Sequence, residues 1–235
     1  LPSSSGYSSI YINGGQVDNK GIEASLSLSQ ALGPVEWNST LTYTINRNKI
    51  KKLLKPTTLK DGLLVEQDML DLDGVGNVKT RLFEGGSVGD LYVTALRTDE
   101  HGYIDVDYVN NTVSVDGNAG ERGDGWIYAG NSQAKYTMGW RNSFSWKGLT
   151  FGFLINARVG GVCVSMTQAL MDSYGTSKAT ADARDAGGVM INGYLVPAAQ
   201  KYYQTVGTGA GSMYVYSATN IRLAELSLGL SLIHI

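Results

Sequence analysis

The chain has 235 residues and a formal net charge of −2, and only 17% of its residues are charged, against roughly 25% in soluble domains. This balance gives no basic patch, so we expect no nucleic-acid partner. Thirty glycines and 14 tyrosines favour many strands joined by turns over a helical bundle. Cys163 is the single cysteine, which excludes an internal disulfide. No apolar stretch approaches the ~18 residues of a spanning helix, so a membrane role would require strands.

The first predicted hairpin joins strands at 22–30 and 35–46. Both segments alternate apolar and polar residues, and the turn between them contains Gly33 and Pro34. The alternating apolar positions are Ile22, Ala24, Leu26, Leu28, Val35, Trp37, Leu41, Tyr43 and Ile45. The pattern predicts an antiparallel pair with one apolar face.

A long segment of about residues 50–133 follows. Within it we predict a strand pair, Asp90–Thr98 with Tyr103–Tyr108, around a polar turn at 99–102. The glycine-rich stretch Gly85–Gly89 lacks the lysine and the strand-to-helix context of a phosphate-binding loop. It is therefore predicted to be a flexible bend that leads into the strand at Asp90.

The clearest hairpin has strands at 135–146 and 149–159. The apolar residues alternate on both sides of Lys147-Gly148, and the phase of the alternation changes there. If Trp146 pairs with Leu149 across a two-residue turn, all apolar side chains fall on one face, whereas a three-residue turn would mix the faces. Lysine is a poor residue for a left-handed turn position, so the turn type stays open.

A second long segment covers about residues 161–216. Its pattern predicts a short helix over Ser165–Ser173 and a turn over Ser177–Ala186, closed by two glycines. Tight turns at 31–34 and 147–148 thus alternate with two long connections. Short periplasmic turns and long external loops are typical of outer-membrane barrels.

Two architectures can explain the alternation: a soluble β-sandwich with a buried apolar face, and a barrel whose apolar face meets lipid. The strands have about 12 residues, longer than the usual 5–6 of globular sheets. From Trp146 to Tyr136 is roughly 33 Å of strand, which at a tilt of ~40° projects to about 25 Å, the height of an outer-membrane apolar band. Strand length and aromatic placement favour the barrel.

Few residues suggest site chemistry. Asp71 and Asp73 precede Gly74 as in a calcium loop, but Met69 and Thr80 occupy the first and last ligand positions of such a loop. The two histidines, His101 and His234, have no credible metal-ligand spacing. A charged cluster in the second long segment is either a solvated surface or a partner or substrate contact; its members are Lys178, Asp182, Arg184 and Asp185. We therefore assign no catalytic, cofactor-binding or metal-binding residue, and name no substrate-binding residue.

Five short sequence motifs, in chain order, resemble the SusC/RagA family of TonB-linked outer-membrane transporters of Bacteroidetes. They are Val17–Glu23 (VDNKGIE), Phe83–Tyr92 (FEGGSVGDLY), Tyr128–Trp140 (YAGNSQAKYTMGW), Lys147–Leu149 (KGL) and Asn220–Gly229 (NIRLAELSLG). One departure is Ala134, which stands near a position where the family commonly has proline. Each motif alone is a weak indication of the family, but five motifs in the family's order over residues 17–229 are a specific one.

The resemblance implies a multi-pass β-barrel of 22 strands in the bacterial outer membrane, plugged by an N-terminal domain and energised through TonB. It also implies a SusD-like lipoprotein as a lid and oligosaccharide or peptide cargo, with no cofactor and no enzymatic activity. Residues 1–229 would supply the C-terminal part of the barrel, roughly the last third of its strands. A non-transporting surface barrel or adhesin is the alternative function.

Both ends of the sequence suggest a fragment. The chain begins with Leu1 and has no signal peptide, so we expect the N-terminal part, with plug and TonB box, to precede it. Residues 230–235 (LSLIHI) look like the translation of a DNA-library adapter. We predict that they are a tail derived from the adapter; the alternative is a natural leucine-rich strand end.

Overall fold

A computed structural model describes residues 15–53, 57–58, 64–65 and 69–231. The strands, in chain order, are β1 (Gln16–Leu32), β2 (Val35–Lys52), β3 (Thr57–Thr58), β4 (Leu64–Val65), β5 (Met69–Val75), β6 (Val78–Phe83), β7 (Asp90–Val93), β8 (Val106–Asp107), β9 (Thr112–Val113), β10 (Ile127–Asn131), β11 (Tyr136–Trp146), β12 (Leu149–Val159), β13 (Val162–Val164), β14 (Val189–Ile191), β15 (Tyr194–Val196), β16 (Val215–Ser217) and β17 (Asn220–Leu230). The helices are α1 (Met166–Ser173), α2 (Lys178–Asp185), α3 (Ala199–Gly209) and a 3-10 helix at Gly211–Tyr214.

The five long strands form one antiparallel sheet in the order β1-β2-β11-β12-β17. We call this sheet the wall. Each strand lies beside the next long strand of the chain, and the links alternate between two-residue turns and long excursions, as the sequence predicts. Five long strands lie in the described residues, and the predicted share of a 22-strand barrel stays a prediction. No helix among the described residues has both the length and the apolar character needed to cross a membrane.

The register of the β11–β12 hairpin is the predicted one. Trp146 pairs with Leu149, and Phe144 with Phe151. Lys147 (φ 45°) and Gly148 (φ 84°) both have positive φ, as a type I′ turn requires. The turn twists in the same sense as the strands, so the pairing of the hairpin outweighs the unfavourable backbone conformation of the lysine.

The β1–β2 hairpin is also confirmed, and both strands are longer than predicted, with 17 and 18 residues. Leu32 pairs with Val35, so the turn is Gly33-Pro34 alone, and Gly33 has a φ of 61°. The added pairs run through residues 46–52, where the sequence turns polar and the apolar alternation ends.

One face of the wall is apolar and uncovered. Leu26 is 71% exposed, Leu228 is 74% exposed and Ile221 is 76% exposed. These side chains share a face with their cross-strand partners, such as Leu41 for Leu26. Within the described residues no second sheet packs on this face, which contradicts the sandwich and supports a surface that meets lipid.

Two polar side chains on that apolar face are covered by indole rings. Asn142, only 2% exposed, lies between Trp140 and Phe144 in the alternation and accepts a hydrogen bond from Trp37 Nε1 at 3.0 Å. The Trp140 Nε1 donates to Ser39 Oγ at 3.0 Å. The indoles satisfy an amide oxygen and a hydroxyl that would otherwise face hydrocarbon unpaired.

The last strand, β17, contains a bulge. Leu154 pairs with Glu225 and Ile155 with Leu223, so Ala224 is the extra residue. The apolar residues of β17 change phase at this point, from odd to even positions. Because a bulge inserts one residue, it keeps Leu223 and Leu226 on the same face.

Leu230 continues β17 and pairs with Leu149, and the Ser231 N–H donates to the Gly148 carbonyl at 2.8 Å. Residues 232–235, including His234, lie outside the described residues. The adapter origin of residues 230–235 therefore stays a prediction.

The two long connections fold together into one unit, which we call the loop assembly (69–135 and 160–219). Its core contains residues from both connections: Leu96, Val113, Ala169, Ile191, Val196, Tyr202, Val206, Ala210 and Tyr214. Backbone links join them as well, since the Ser212 N–H donates to the Thr94 carbonyl at 2.9 Å. Burial of these side chains in a conventional core stabilises a compact body at one end of the wall.

The predicted strand pair at 90–98 and 103–108 is largely wrong. β7 ends at Val93 and pairs with β6 and β10, in a sheet of order β10-β7-β6-β5. Only a single bridge, Thr98 to Ile104, spans the predicted turn. The bend at 84–89 folds β7 back onto β6, which takes the hydrogen bonds that the sequence assigned to the later segment.

The predicted short helix is confirmed as α1, with Ser165 as its N-cap. The predicted turn at Ser177–Ala186 is instead the helix α2, because the Ser177 side chain accepts from the Thr180 N–H at 3.2 Å and caps a full two turns. Helix α3 was missed, since its glycines and β-branched residues give little helix propensity.

Candidate functional site: the polar face and rim of the wall

The second face of the wall carries mostly small polar residues. Its members include Ser25, Ser27, Thr40, Thr42, Thr44, Thr137, Ser143, Ser145, Thr150, Asn156 and Ser227. Two pairs among them are hydrogen-bonded: Ser27 Oγ with Thr40 Oγ1 at 3.1 Å, and Ser145 Oγ with Thr150 Oγ1 at 3.4 Å. A surface of short hydroxyls keeps contact with water and offers weak, replaceable hydrogen bonds to a polar molecule.

Two glycines leave the polar face without a projecting side chain at their positions. A Cβ at Gly139 would lie 2.8 Å from Thr42 Oγ1, and one at Gly152 would lie 2.7 Å from Ser227 Oγ. The neighbouring hydroxyls fill the space above each glycine. The face is thus smooth at these two positions.

An ion pair sits in the middle of the polar face. Arg141 donates two hydrogen bonds to Glu225, from Nη2 at 2.7 Å and from Nη1 at 3.3 Å. The two residues belong to β11 and β17, so the pair spans the intervening strand β12. The bidentate geometry neutralises both charges where the wall faces water.

A polar groove opens at the end of the wall that carries the long connections. It has a volume of about 430 Å³. Its lining includes Thr42, Thr137, Asn156, Arg158, Asn220 and Arg222. We call it the rim groove. Arg158 also reaches the loop assembly, because its Nη2 donates to the Ser132 carbonyl at 2.6 Å.

The bend at 84–89 fastens the loop assembly to the wall. The Ile50 N–H donates to the Gly86 carbonyl at 2.9 Å, and the Gly85 N–H to the Ile50 carbonyl at 2.8 Å. Asn48 Oδ1 accepts from the Val88 N–H at 2.9 Å and from Ser87 Oγ at 2.6 Å. The glycine-rich stretch is therefore a bend that leads to β7, as predicted, and its groups bind protein rather than a phosphate.

Asp90, at the end of the bend, is buried, and both of its carboxylate oxygens accept hydrogen bonds. Its Oδ2 accepts from the Ser87 N–H at 2.7 Å, and its Oδ1 accepts from Asn131 Nδ2 at 2.8 Å and Tyr128 Oη at 3.3 Å. The carboxylate binds the start of β7 to the end of β10. Its role is to hold the loop assembly together.

A second cleft, of about 440 Å³, lies among the three helices of the loop assembly. Asp172, Tyr203 and Arg184 are among its lining residues. Asp172 is 4% exposed; its Oδ2 accepts from Tyr214 Oη at 2.9 Å, and its Oδ1 has no partner among the described residues. Burial and this hydrogen bond raise the pKa of Tyr214 far above its usual value.

The structure places the other candidate residues apart from the rim groove. Asp71 forms ion pairs with Lys79 and with Arg81, whose Nε lies 2.8 Å from Asp71 Oδ1, and this use as a salt-bridge partner argues against the calcium loop. No group of metal ligands occurs among the described residues. His101 lies exposed in the predicted polar turn.

All four residues of the charged cluster lie on α2. Lys178 pairs with Asp182 one helical turn later, and Arg184 Nη1 donates to the Gly175 carbonyl at 2.9 Å. Of its four members only Arg184 lines the helical cleft. The cluster is thus mainly a solvated helix surface.

Comparisons with known proteins agree with the geometry. No protein-family model matches the chain. Two curated TonB-dependent receptors of Formosa agariphila are 27% and 26% identical over 99% and 97% of this chain, which spans 23% of each. Two solved structures, of the RagAB peptide transporter and of the RagAB peptide importer in the closed-closed state, match 97% of the chain with TM-scores of 0.63 and 0.58 and 18% and 17% identity; the chain covers 24% of each.

The chain is therefore similar in sequence to TonB-dependent receptors and in fold to part of the RagAB β-barrel, which confirms the predicted SusC/RagA resemblance and an outer-membrane location.

Proposed function

We propose that this chain is the C-terminal part, residues 1–229, of a TonB-dependent transporter that imports oligosaccharides or peptides across the outer membrane. The observation that carries the proposal is the wall, which is apolar and uncovered on one face and small and polar on the other. Such a surface separates lipid from a water-filled interior. The resemblance of nearly the whole chain to TonB-dependent receptors supports transport as the purpose of that interior.

Energy would come from TonB acting through a plug and TonB box that precede these residues in the intact protein. A SusD-like lipoprotein would lie over the loop assembly as a lid. The structural relatives are described as a peptide transporter and a peptide importer, which supports a peptide or a similar small polar polymer as the cargo. Transport rather than catalysis is the activity that agrees with the relatives' names.

The test uses the full-length gene in its own bacterium. Deletion of the gene should abolish growth on one class of oligosaccharide or peptide and should stop uptake of a fluorescent derivative of that cargo. Uptake should also stop when TonB is deleted or the proton gradient is collapsed. An affinity-tagged transporter should retain a lipoprotein encoded beside it.

A surface barrel or adhesin would behave differently. The deletion strain would take up every cargo at the normal rate but would lose attachment to a surface or to other cells. That result, together with binding that is independent of TonB, would overturn the proposal.

A further inference from the structure

Two arginines on the polar face of the wall stand close together without a carboxylate. Arg158 pairs in register with Asn220, and Arg222 pairs with Asn156. The two arginines therefore occupy diagonal positions on one face of neighbouring strands, where Cα atoms are roughly 7–8 Å apart. Two long cationic side chains that start this close on one face can reach the same anion, which would offset their mutual repulsion.

The third arginine on this face gives the contrast. Arg141 has a bidentate partner in Glu225. Neither Arg158 nor Arg222 forms an ion pair with any of the described residues, and Glu225 is already occupied by Arg141. The unpaired positive charges at the groove are those of Arg158 and Arg222; the other carboxylates of this face, Glu23 and Glu36, lie on β1 and at the opposite end of β2.

Arg158 is also held in place, by a hydrogen bond that uses one N–H group of its guanidinium. Its Nη2 donates to the Ser132 carbonyl at 2.6 Å, and its Nε is buried without a partner among the described residues. The bond to Ser132 fixes the guanidinium against the loop assembly. Because Nε is shielded from solvent, a ligand would be bound by the remaining N–H groups of the half-buried guanidinium.

The rim groove that both arginines line supplies space and further donors. Its volume of about 430 Å³ lies within the range of ligand-binding clefts. Asn156, Asn220 and the hydroxyls of Thr42 and Thr137 line it as well. Its position at the long-loop end of β12 and β17 puts it where a molecule would enter the interior.

We propose that the rim groove binds a carboxylate group of the cargo, with Arg158 and Arg222 as its cationic partners. Guanidinium and carboxylate match as planar, bidentate groups. The carboxylate can come from a uronic acid residue of an oligosaccharide or from a peptide. This inference rests on the proposed function, because it requires a transported cargo. Since Arg222 is exposed to water, binding is weak enough to allow release inward.

The experiment measures binding to the full-length transporter in lipid nanodiscs. The probes are an oligogalacturonate and its carboxyl-reduced, neutral form, and an acidic peptide and its fully amidated form. We expect one acidic probe to bind about tenfold more tightly than its neutral counterpart, and this preference to fall as salt is raised. The probe pair that shows the preference identifies the source of the carboxylate.

Arg158→Gln with Arg222→Gln should abolish that preference, so that the acidic and the neutral probe bind with similar affinity. The matched control, Arg141→Gln with Glu225→Gln, removes two charges from the same face but leaves the net charge unaltered, and should keep the preference. If the control fails to fold, the salt dependence of the wild-type protein still tests the proposal.

Retention of the preference in the Arg158→Gln/Arg222→Gln protein would overturn the inference, as would equal binding of acidic and neutral probes by the wild-type protein. If neutral cargo is still taken up in a TonB-dependent way, the proposed function stands while this inference fails. If neither probe pair binds and no uptake occurs, both fail.

Discussion

The wall and the loop assembly are built from one chain by opposite rules. The wall exposes large apolar side chains, such as Leu26 and Leu228, and keeps serines and threonines on the other face. The loop assembly buries apolar side chains instead: Val196 and Tyr214 are 1% and 2% exposed. The difference follows from the solvent on each side: hydrocarbon around the wall, and water around the loops.

Stability therefore has different sources in the two regions. The strands of the wall hold each other through continuous backbone pairing, because no unpaired backbone group can face lipid. The loop assembly has only short strands and depends on side-chain burial. A buried charge should therefore destabilise the loop core, and a charge on the lipid face should destabilise the wall. The two regions can be followed separately by 19F NMR of fluorotryptophan, because Trp126 lies in the loop assembly and Trp37, Trp140 and Trp146 lie in the wall.

The largest expected effect is Val196→Asp in the full-length transporter. An unpaired carboxylate in the loop core should cost about 4 kcal/mol or more and unfold the loop assembly, since the core offers it no partner. The Trp126 resonance should lose its folded position while those of the wall remain. The control is Val109→Asp, at a position that is 90% exposed, which should change stability by less than about 0.5 kcal/mol. Equal damage by both variants would contradict the buried core.

Ile155→Arg should have the next largest effect, and on the wall. Ile155 lies on the apolar face, so the charge should cost about 2–4 kcal/mol near the membrane midplane, whereas Asn156→Arg on the polar face should cost much less. Single cysteines at the same two positions test the faces directly. A lipid-phase reagent should label position 155 and a water-soluble one position 156. Ready labelling of position 155 by the water-soluble reagent would show that the faces are assigned the wrong way round.

Tyr214→Phe should have an intermediate effect on the loop assembly. It removes the hydroxyl that donates to buried Asp172, whose other oxygen already lacks a partner among the described residues, and should cost about 1–3 kcal/mol. Tyr216→Phe is the matched control, because its hydroxyl bonds to Gln168 at the surface. Denaturant midpoints of the Trp126 signal measure both. A loss in the control as large as that in Tyr214→Phe would refute the special role of the buried pair.

The smallest effect concerns acid. Burial raises the pKa of Asp71, but the hydrogen bonds and charges of Arg81 and Lys79 outweigh it and lower that pKa below its usual value. A hydrogen bond from Arg81 likewise lowers the pKa of Asp124. Carboxyls with lowered pKa values stabilise the folded state above their unfolded pKa of about 3.9 and lose this contribution as the pH falls further.

The denaturant midpoint for unfolding of the loop assembly should therefore not depend on these groups above about pH 5. It should decrease once the pH is below about 4. Arg81→Gln should flatten the acid dependence. Arg97→Gln, which breaks an exposed pair with Asp105, should leave it unchanged. An unaltered acid transition in the Arg81→Gln protein would argue against the network as its source.

The wall could be predicted from the sequence because strand alternation has a fixed period. The register of β11 with β12 followed from requiring Trp146 and Leu149 to share a face. What the period could not reveal is the exception at Asn142, whose partner Trp37 is 105 residues away. The phase change around Ala224 was visible in the sequence and could have revealed the bulge.

The loop assembly was predicted less well because its pairing is decided by contacts between distant segments. β7 could not be assigned to β6 without knowing that the bend at 84–89 is fixed to Ile50. One local signal was overlooked: Asn192-Gly193, both with positive φ, forms the turn between β14 and β15. The arginines of the rim groove carry no sequence motif, since they come together only through the register of β12 and β17.

The bulge at Ala224 has a consequence for how this protein can vary in length. Each residue inserted into or deleted from a wall strand exchanges the lipid face and the water face for everything beyond it. Deleting Ala224 would turn Leu226, Leu228 and Leu230 toward the interior and Ser227 toward lipid. Related wall strands should therefore differ by two residues at a time or carry a compensating bulge, whereas the loop assembly is free to gain or lose any number.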